Sequence, residues 1–292
     1  MEHQHEHDTD NKNIRLAFFL NLAFTVLELV GGTYVNSVAI ISDAIHDLGD
    51  SLSLGTAWYL QHKSQQEADN TFSFGYRRFS LFGALITSLT LIGGSVFVIY
   101  EAVGRLRQPE PTDADGMLAF AIVGVLVNGF AAWKLSHAHS LNERMISWHL
   151  LEDVLGWVAV LVVAIILQFE PVYYLDPALS LLITVYILWN VIRRLRETLF
   201  IFLQGVPKGI SKARIEGGIL DLPRTASVHH MHIWSLDGEQ HVFSVHVRLQ
   251  HIETLDELLA VKENIRELLK EYAFTHQTIE IELDEETCGL EQ

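Results

Sequence analysis

Five stretches of the chain carry so few charges that water is the wrong solvent for them. They lie at about 14–35, 80–104, 115–136, 146–169 and 176–200. A bilayer core about 30 Å thick is crossed by roughly 20 helical residues, so each stretch is predicted to be a membrane-spanning helix. A sixth stretch, about 38–61, holds Asp43, His46, Asp47 and Asp50 but is otherwise apolar, and counting it as a span balances the loop charges. Six spans with both termini inside put Lys12, Arg15, Lys63, Arg77, Arg78, Lys134, Arg144, Arg193, Arg194 and Arg196 on the cytoplasmic side. Only Arg105 and Arg107 fall outside, the bias expected of the positive-inside rule.

Composition agrees with a membrane class. Hydrophobic residues make up 49% of the chain and charged ones 19%, against about a quarter charged in ordinary soluble domains. The formal charge of −16 sits mainly at the two ends and in loops, which argues against nucleic acid as a partner. The start, MEHQHEHDTD, is acidic and His-rich and lacks the basic segment and cleavage site of a secretory signal, so the first span is expected to be an uncleaved helix. The one cysteine, Cys288, excludes an intrachain disulfide framework and any Cys-x-x-Cys zinc motif. A metal site here is therefore expected to use histidine and carboxylate.

From about residue 205 the texture changes. Gly205, Pro207 and Gly209 break the last span, and a charged, amphipathic region follows. It reads as a helix at 210–220, strands at 227–236 and 241–250, a helix at 255–272 and a strand at 277–284. Thr254 and Glu257 form a capping box, and Asp237-Gly238 marks the hairpin turn. The order αββαβ points to a small α+β sandwich of the ferredoxin-like type. Period 2 puts His230, His232 and Trp234 on one face of the first strand and His246 with Val242 and Arg248 on one face of the second. A register that sets His232 opposite His246 brings two imidazoles together, and Glu280 and Glu282 are available to complete a cytoplasmic metal site. The competing reading is a solvated sheet face.

Within the second span, Asp43, His46, Asp47 and Asp50 stand at i, i+3, i+4 and i+7, on one helical face. Ionisable groups in hydrocarbon cost several kcal/mol each unless paired, hydrated or metal-bound. The spans offer this stripe no matching Lys or Arg, so it must face the protein interior or a wet cavity. The fifth span repeats the device with His149 and Asp153 at i and i+4. Two imidazoles and two carboxylates from His46, Asp50, His149 and Asp153 supply the four-donor tetrahedron that zinc accepts. Glu152 points about 100° away and reads as a neighbour. Asp43 and Asp47 read as entry-path or alternate ligands, and Glu28, Asn128 and Asp176 as interhelical hydrogen-bonding groups. Spans 2 and 5 run in opposite directions, each in the middle of a three-span half, which suggests an inverted repeat around a midplane site.

At these residues the chain resembles the cation diffusion facilitator family, the group that includes bacterial zinc and cadmium exporters. The carriers are Glu28 to Gly32, Ser42 to Asp50, Phe74 to Arg78, His149 to Asp153, Asp176-Pro177, Gly205 to Pro207 and His230 to Trp234. The resemblance implies a homodimer of six-span protomers that exchanges metal for protons. It implies transport ligands His46, Asp50, His149 and Asp153, with His46 typical of the zinc-preferring branch. It further implies a cytoplasmic metal site, of regulatory zinc, including His232, His246 and Glu282. Two departures limit the transfer. Thr71 and Tyr76 stand where some relatives have loop histidines. Gln204 stands, opposite Arg78, where relatives often have an acidic residue able to form a charge interlock.

The expected organisation is a mainly α membrane protein. Residues 1–13 form a His-rich cytoplasmic start, 14–204 a six-helix transmembrane domain, and 205–292 a cytoplasmic metal-binding and dimerisation domain. Divalent metal, protons, the lipid bilayer and a second copy of the chain are its expected partners, with no organic cofactor. The bacterial inner membrane is its expected location, with both ends cytoplasmic. Metal binding needs deprotonated ligands, so protons and zinc compete for one site, and imidazole makes His46 and His149 the expected exchanging groups. His3, His5, His7, His137 and His139 either gather metal or are solvated tracts. Two rivals are a membrane-embedded zinc hydrolase, disfavoured because there is no His-Glu-x-x-His helix, and a metal-sensing scaffold without flux.

Overall fold

The computed structural model describes the backbone of residues 2–64, 66–135, 141–283, 286 and 288. It describes the side chains of that set other than those of 2–17, 57, 58, 61, 62, 64, 131, 134, 135 and 141–150. Six long helices come first: α1 Glu2–Tyr34, α2 Val38–Ser64, α3 Phe79–Arg107, α4 Ala114–Leu135, α5 Leu141–Phe169 and α6 Leu175–Phe202. Among the described residues Phe79–Arg107, Leu151–Phe169 and Leu175–Phe202 are long and apolar enough to cross a bilayer on composition alone. Phe18–Tyr34 and Ala114–Phe130 are shorter apolar runs. α2 falls below that threshold because it carries its acidic stripe. α1 starts well before the apolar stretch, since the polar start continues the same helix.

Two compact units result, Met1–His62 with Phe82–Leu195, and Lys63–Leu81 with Arg196–Gln292. The loop before α3 and the last turns of α6 thus group with the tail, so the second unit begins before residue 205.

In the first unit, small residues let the helices carrying ionisable groups approach their neighbours. A Cβ at Gly49 of α2 would stand 2.4 Å from a Leu91 methyl of α3, and one at Gly94 of α3 would stand 2.4 Å from Ile45. These two contacts bracket His46. On α4, Gly124 lies under the ring of Trp157 of α5, where a Cβ would come within 2.1 Å. Trp157 is 1% exposed and joins Ile40, Met117 and Val160 in the main apolar cluster. Asp176, at the start of α6, is buried and caps α2: its carboxylate accepts from Ser37 Oγ (2.6 Å), Val38 N (2.7 Å) and Ala39 N (3.3 Å). That satisfies orphan amides at a helix start and acts between helices, as expected. Asn128 differs from its expected interhelical role, because its amide donates to Gly124 O within its own helix at 3.1 Å.

In the second unit, α7 (Lys212–Leu220), β1 (Thr225–Ser235), β2 (His241–Leu249), α8 (Leu255–Leu269) and β3 (His276–Leu283) follow in the expected αββαβ order. β1 pairs antiparallel with β2, and β2 pairs parallel with β3, the parallel step being closed by α8. Thr254 and Glu257 make both bonds of the capping box. Gly238 turns the hairpin at φ +104, and Asp237 Oδ1 accepts from Glu239 N and Gln240 N. Ile215 and Ile219 of α7, Val261, Ile265 and Leu269 of α8, and Phe243, Val245 and Val247 of β2 fill the core. Burying each such side chain contributes about 1.5–3 kcal/mol.

The opposite face of the sheet is polar except at one end, where the row Trp234, Val242 and His276 is aligned across the three strands. Phe74 of the loop before α3 packs edge-on to Trp234 (6.4 Å) and His276 (5.4 Å). Arg77 pairs with Asp237 at 3.6 Å. The loop has its own scaffold, since Asp69 accepts from Thr71 N, Phe72 N and the Tyr76 hydroxyl. Those bonds, the Phe72 amide first, hold the Asp69 carboxyl below the usual range.

Candidate metal centre

Inside the first unit, α2 and α5 bring three of the four expected membrane donors together. His46 Nε2 lies 3.8 Å from Asp50 Oδ2, one turn along α2, and 3.8 Å from Asp153 Oδ1 of α5. With Zn–N and Zn–O bonds near 2.0–2.2 Å, the edge of a tetrahedral site is about 3.4 Å. Each of the two separations from His46 exceeds that edge by about 0.4 Å. Asp153 is 11% exposed and His46 20%, so the group is shielded without being sealed. His149 stands one turn before Asp153 on α5, and its side chain lies outside the described residues. His137 and His139 lie outside them altogether, as do the side chains of His3, His5 and His7. Glu152 is exposed.

Three further carboxyls are buried in the same unit. Asp43 is 9% exposed and Asp47 8%, and Glu28 of α1 is completely buried. Glu28 of α1 adjoins Asp47 of α2, an interhelical contact as expected of it. Asn21 of α1 fastens this segment, donating to Asp47 O at 2.9 Å and Ser51 Oγ at 3.0 Å. A cavity of about 10 Å³ beside His46, lined by Ser42, Ser95 and Thr184, is about the size of one water.

The second unit holds another donor cluster. Glu282 Oε1 lies 3.0 Å from both His229 Nε2 and His246 Nδ1, and Cys288 Sγ lies 3.8 Å from His246 Nδ1. One donor atom from each of His229, His246, Glu282 and Cys288 falls within 4.8 Å of the others. Two imidazoles, a carboxylate and a thiol are a donor set zinc takes readily. Arg248 Nη2, 3.4 Å away, engages the other carboxylate oxygen. Burial works to raise Glu282, but hydrogen bonds to His246, Cys288 and His229 outweigh it and bring the carboxyl down to about 2. The acid is ionised at neutral pH.

His246 and Glu282 are thus brought together as expected, and His232 is not. A β-bulge between His229 and His232 sets His229 opposite His246 and moves His232 opposite Ser244. The extra residue, His230, takes a left-handed conformation (φ 47). Its ring stays 5.3 Å from that of His246, making a cluster of three imidazoles. Glu280 pairs with His246 across the strands but is outside the four-donor group. Strict period 2 gives no sign of the bulge that brings in His229, and Cys288 joins the group although a site of histidine and carboxylate alone is what a single cysteine leads one to expect. The adjacent pair His229-His230 was the one available cue.

Comparison with known proteins bears on both units. Residues 14–203 match the family described as cation efflux transmembrane domain, and residues 207–284 match that described as cation efflux protein, cytoplasmic domain. The chain is 32% identical to "Zinc transporter ZitB" of Pectobacterium atrosepticum, over 100% of this chain and 93% of that protein. It is 32% identical to "Metal cation efflux system protein CzcD" of Cupriavidus metallidurans, over 96% and 90%. It is 29% identical to the "Cadmium, cobalt and zinc/H(+)-K(+) antiporter" of Bacillus subtilis, over 97% and 93%.

Proposed function

Because the chain belongs to the cation efflux family, and is a membrane transporter of metal cations rather than an enzyme, we propose that it exports zinc in exchange for protons through His46, Asp50, His149 and Asp153. The observation that carries this reading is the position of His46 Nε2, 3.8 Å from carboxylates of two different helices. The names of the relatives support zinc, with cadmium and cobalt as further cargo.

To hold the ion, imidazole must be neutral and both carboxylates ionised, so metal and protons exclude each other from one set of atoms. A site that alternately faces the two sides of the membrane then couples their flows. Gly49 and Gly94 keep α2 and α3 in contact beside His46, and Asp176 pins the start of α2, so the donors ride on rigid elements. The tail cluster of His229, His246, Glu282 and Cys288 is a second, regulatory zinc site, and the tail joins two copies in a dimer. Both ends lie in the cytoplasm of a bacterial inner-membrane protein.

Zinc flux into proteoliposomes under an imposed pH gradient, read with an enclosed zinc dye, tests the reading. Wild type should accumulate zinc only with the gradient, while His46→Ala and Asp153→Ala should each abolish uptake. Full uptake by both variants would refute the site, and uptake indifferent to the gradient would refute proton exchange.

A further inference from the structure

The two donor groups of the chain differ in one kind of atom. His46, Asp50, His149 and Asp153 offer nitrogen and oxygen alone, whereas the second unit adds the sulfur of Cys288 to His229, His246 and Glu282. Thiolate is a soft ligand and favours polarisable cations, while carboxylate suits hard ones. The two groups therefore rank metals differently.

Cys288 is brought to the cluster by a turn of its own. After β3 the chain doubles back, with Glu286 N donating to Leu283 O at 2.7 Å and the Glu286 carboxylate accepting from Leu283 N at 3.2 Å. Arg248 fastens this turn to the site: its Nη2 donates to Glu286 O at 3.2 Å and to Glu282 Oε2 at 3.4 Å. One guanidinium thus holds both a donor carboxylate and the backbone two residues before the cysteine. The spacing fits as well. With Zn–S about 2.3 Å and Zn–N about 2.0–2.1 Å, the sulfur–nitrogen edge of a tetrahedral site is about 3.6 Å, and Cys288 Sγ stands 3.8 Å from His246 Nδ1. The cysteine is half-buried, so its sulfur is shielded from water yet within reach of an ion.

We infer, resting on the tail site proposed above, that Cys288 is a metal-binding thiolate that tunes this site to soft cations, cadmium before zinc and zinc far before manganese. The ion takes the place of the thiol proton, which passes to water. The tail then answers to softer metals than the sulfur-free membrane site, and Arg248 acts as a positioning residue that keeps Glu282 and the turn before Cys288 together.

Cadmium titration of the full chain in detergent, with the membrane site silenced by Asp153→Ala, tests this through the near-ultraviolet charge-transfer band of a cadmium–thiolate bond. The band should grow with occupancy of the tail and vanish when Cys288→Ser is added. That change should weaken cadmium binding about a hundredfold and manganese binding less than about threefold. Against a membrane site isolated by His229→Ala with Cys288→Ser, the tail should favour cadmium over zinc about ten times as strongly. Cadmium held by the tail without the band would overturn the proposal. So would equal losses of cadmium and manganese, or equal cadmium-to-zinc preference at the two sites. A tail that binds no metal at all would overturn the tail site itself, and the role of Cys288 with it.

Discussion

Replacing His229 by Ala in a chain whose membrane site is silenced by Asp153→Ala is expected to weaken zinc binding about a hundredfold, while His232→Ala leaves it within about threefold. The contrast follows from the bulge in β1. His229 stands opposite His246 with its Nε2 3.0 Å from Glu282 Oε1, whereas His232 stands opposite Ser244. Two residues along a strand are about 7 Å, far beyond the roughly 2.0–2.1 Å of a zinc–nitrogen bond. Structural zinc sites bind with apparent energies of about 10–16 kcal/mol, which shared among four donors is roughly 3 kcal/mol each. That corresponds to about two orders of magnitude in affinity. Competition with a chelating zinc dye in detergent measures it. A chain in which His232→Ala costs the hundredfold and His229→Ala costs nothing would refute the register argument.

Glu282 also gives the tail a pH signature. Its folded carboxyl is depressed to about 2 from an ordinary 4.5, so its stabilisation is complete above about pH 4.5 and is lost as pH falls through 2. Urea unfolding followed by tryptophan fluorescence should show this decline between pH 4.5 and 2, and Glu282→Gln should flatten it; an unchanged slope counts against the hydrogen-bonded cluster. Asp176→Ala leaves three buried donors near α2 without their acceptor, at a cost of about 3 kcal/mol or more. A melting temperature lower by roughly 6–12 °C is expected for a domain of this size, and an unchanged one would show that water replaces the carboxylate.

Much of this was readable from spacing. The apolar stretches gave the helices, and i, i+3, i+4, i+7 put Asp43, His46, Asp47 and Asp50 on one face, because helical periodicity survives whatever the tertiary context. Local chemistry likewise announced the Thr254–Glu257 box and the Asp237-Gly238 turn. What depends on contacts between distant segments was less legible. Nothing near Glu28 in sequence reveals that its carboxyl is wholly buried against Asp47, since only the packing of α1 on α2 decides it. Nor does Arg77 disclose that Asp237 is its partner, 160 residues away. The departure at Gln204 leaves open where a charge pair forms, and the fold supplies one elsewhere.

One surplus residue in β1 has a further consequence. Val228 packs with the apolar core, and so do Met231 and Ile233, although 228 and 231 differ by an odd number and an unbroken strand would turn them to opposite sides. The left-handed kink at His230 resets the phase, letting the underside stay oily while the upper side shows His229 beside His246. Without that kink a strand still carrying the extra residue would turn either Val228 or Met231 away from the oily underside, so the left-handed turn at His230 is what lets β1 hold one residue more than its partner.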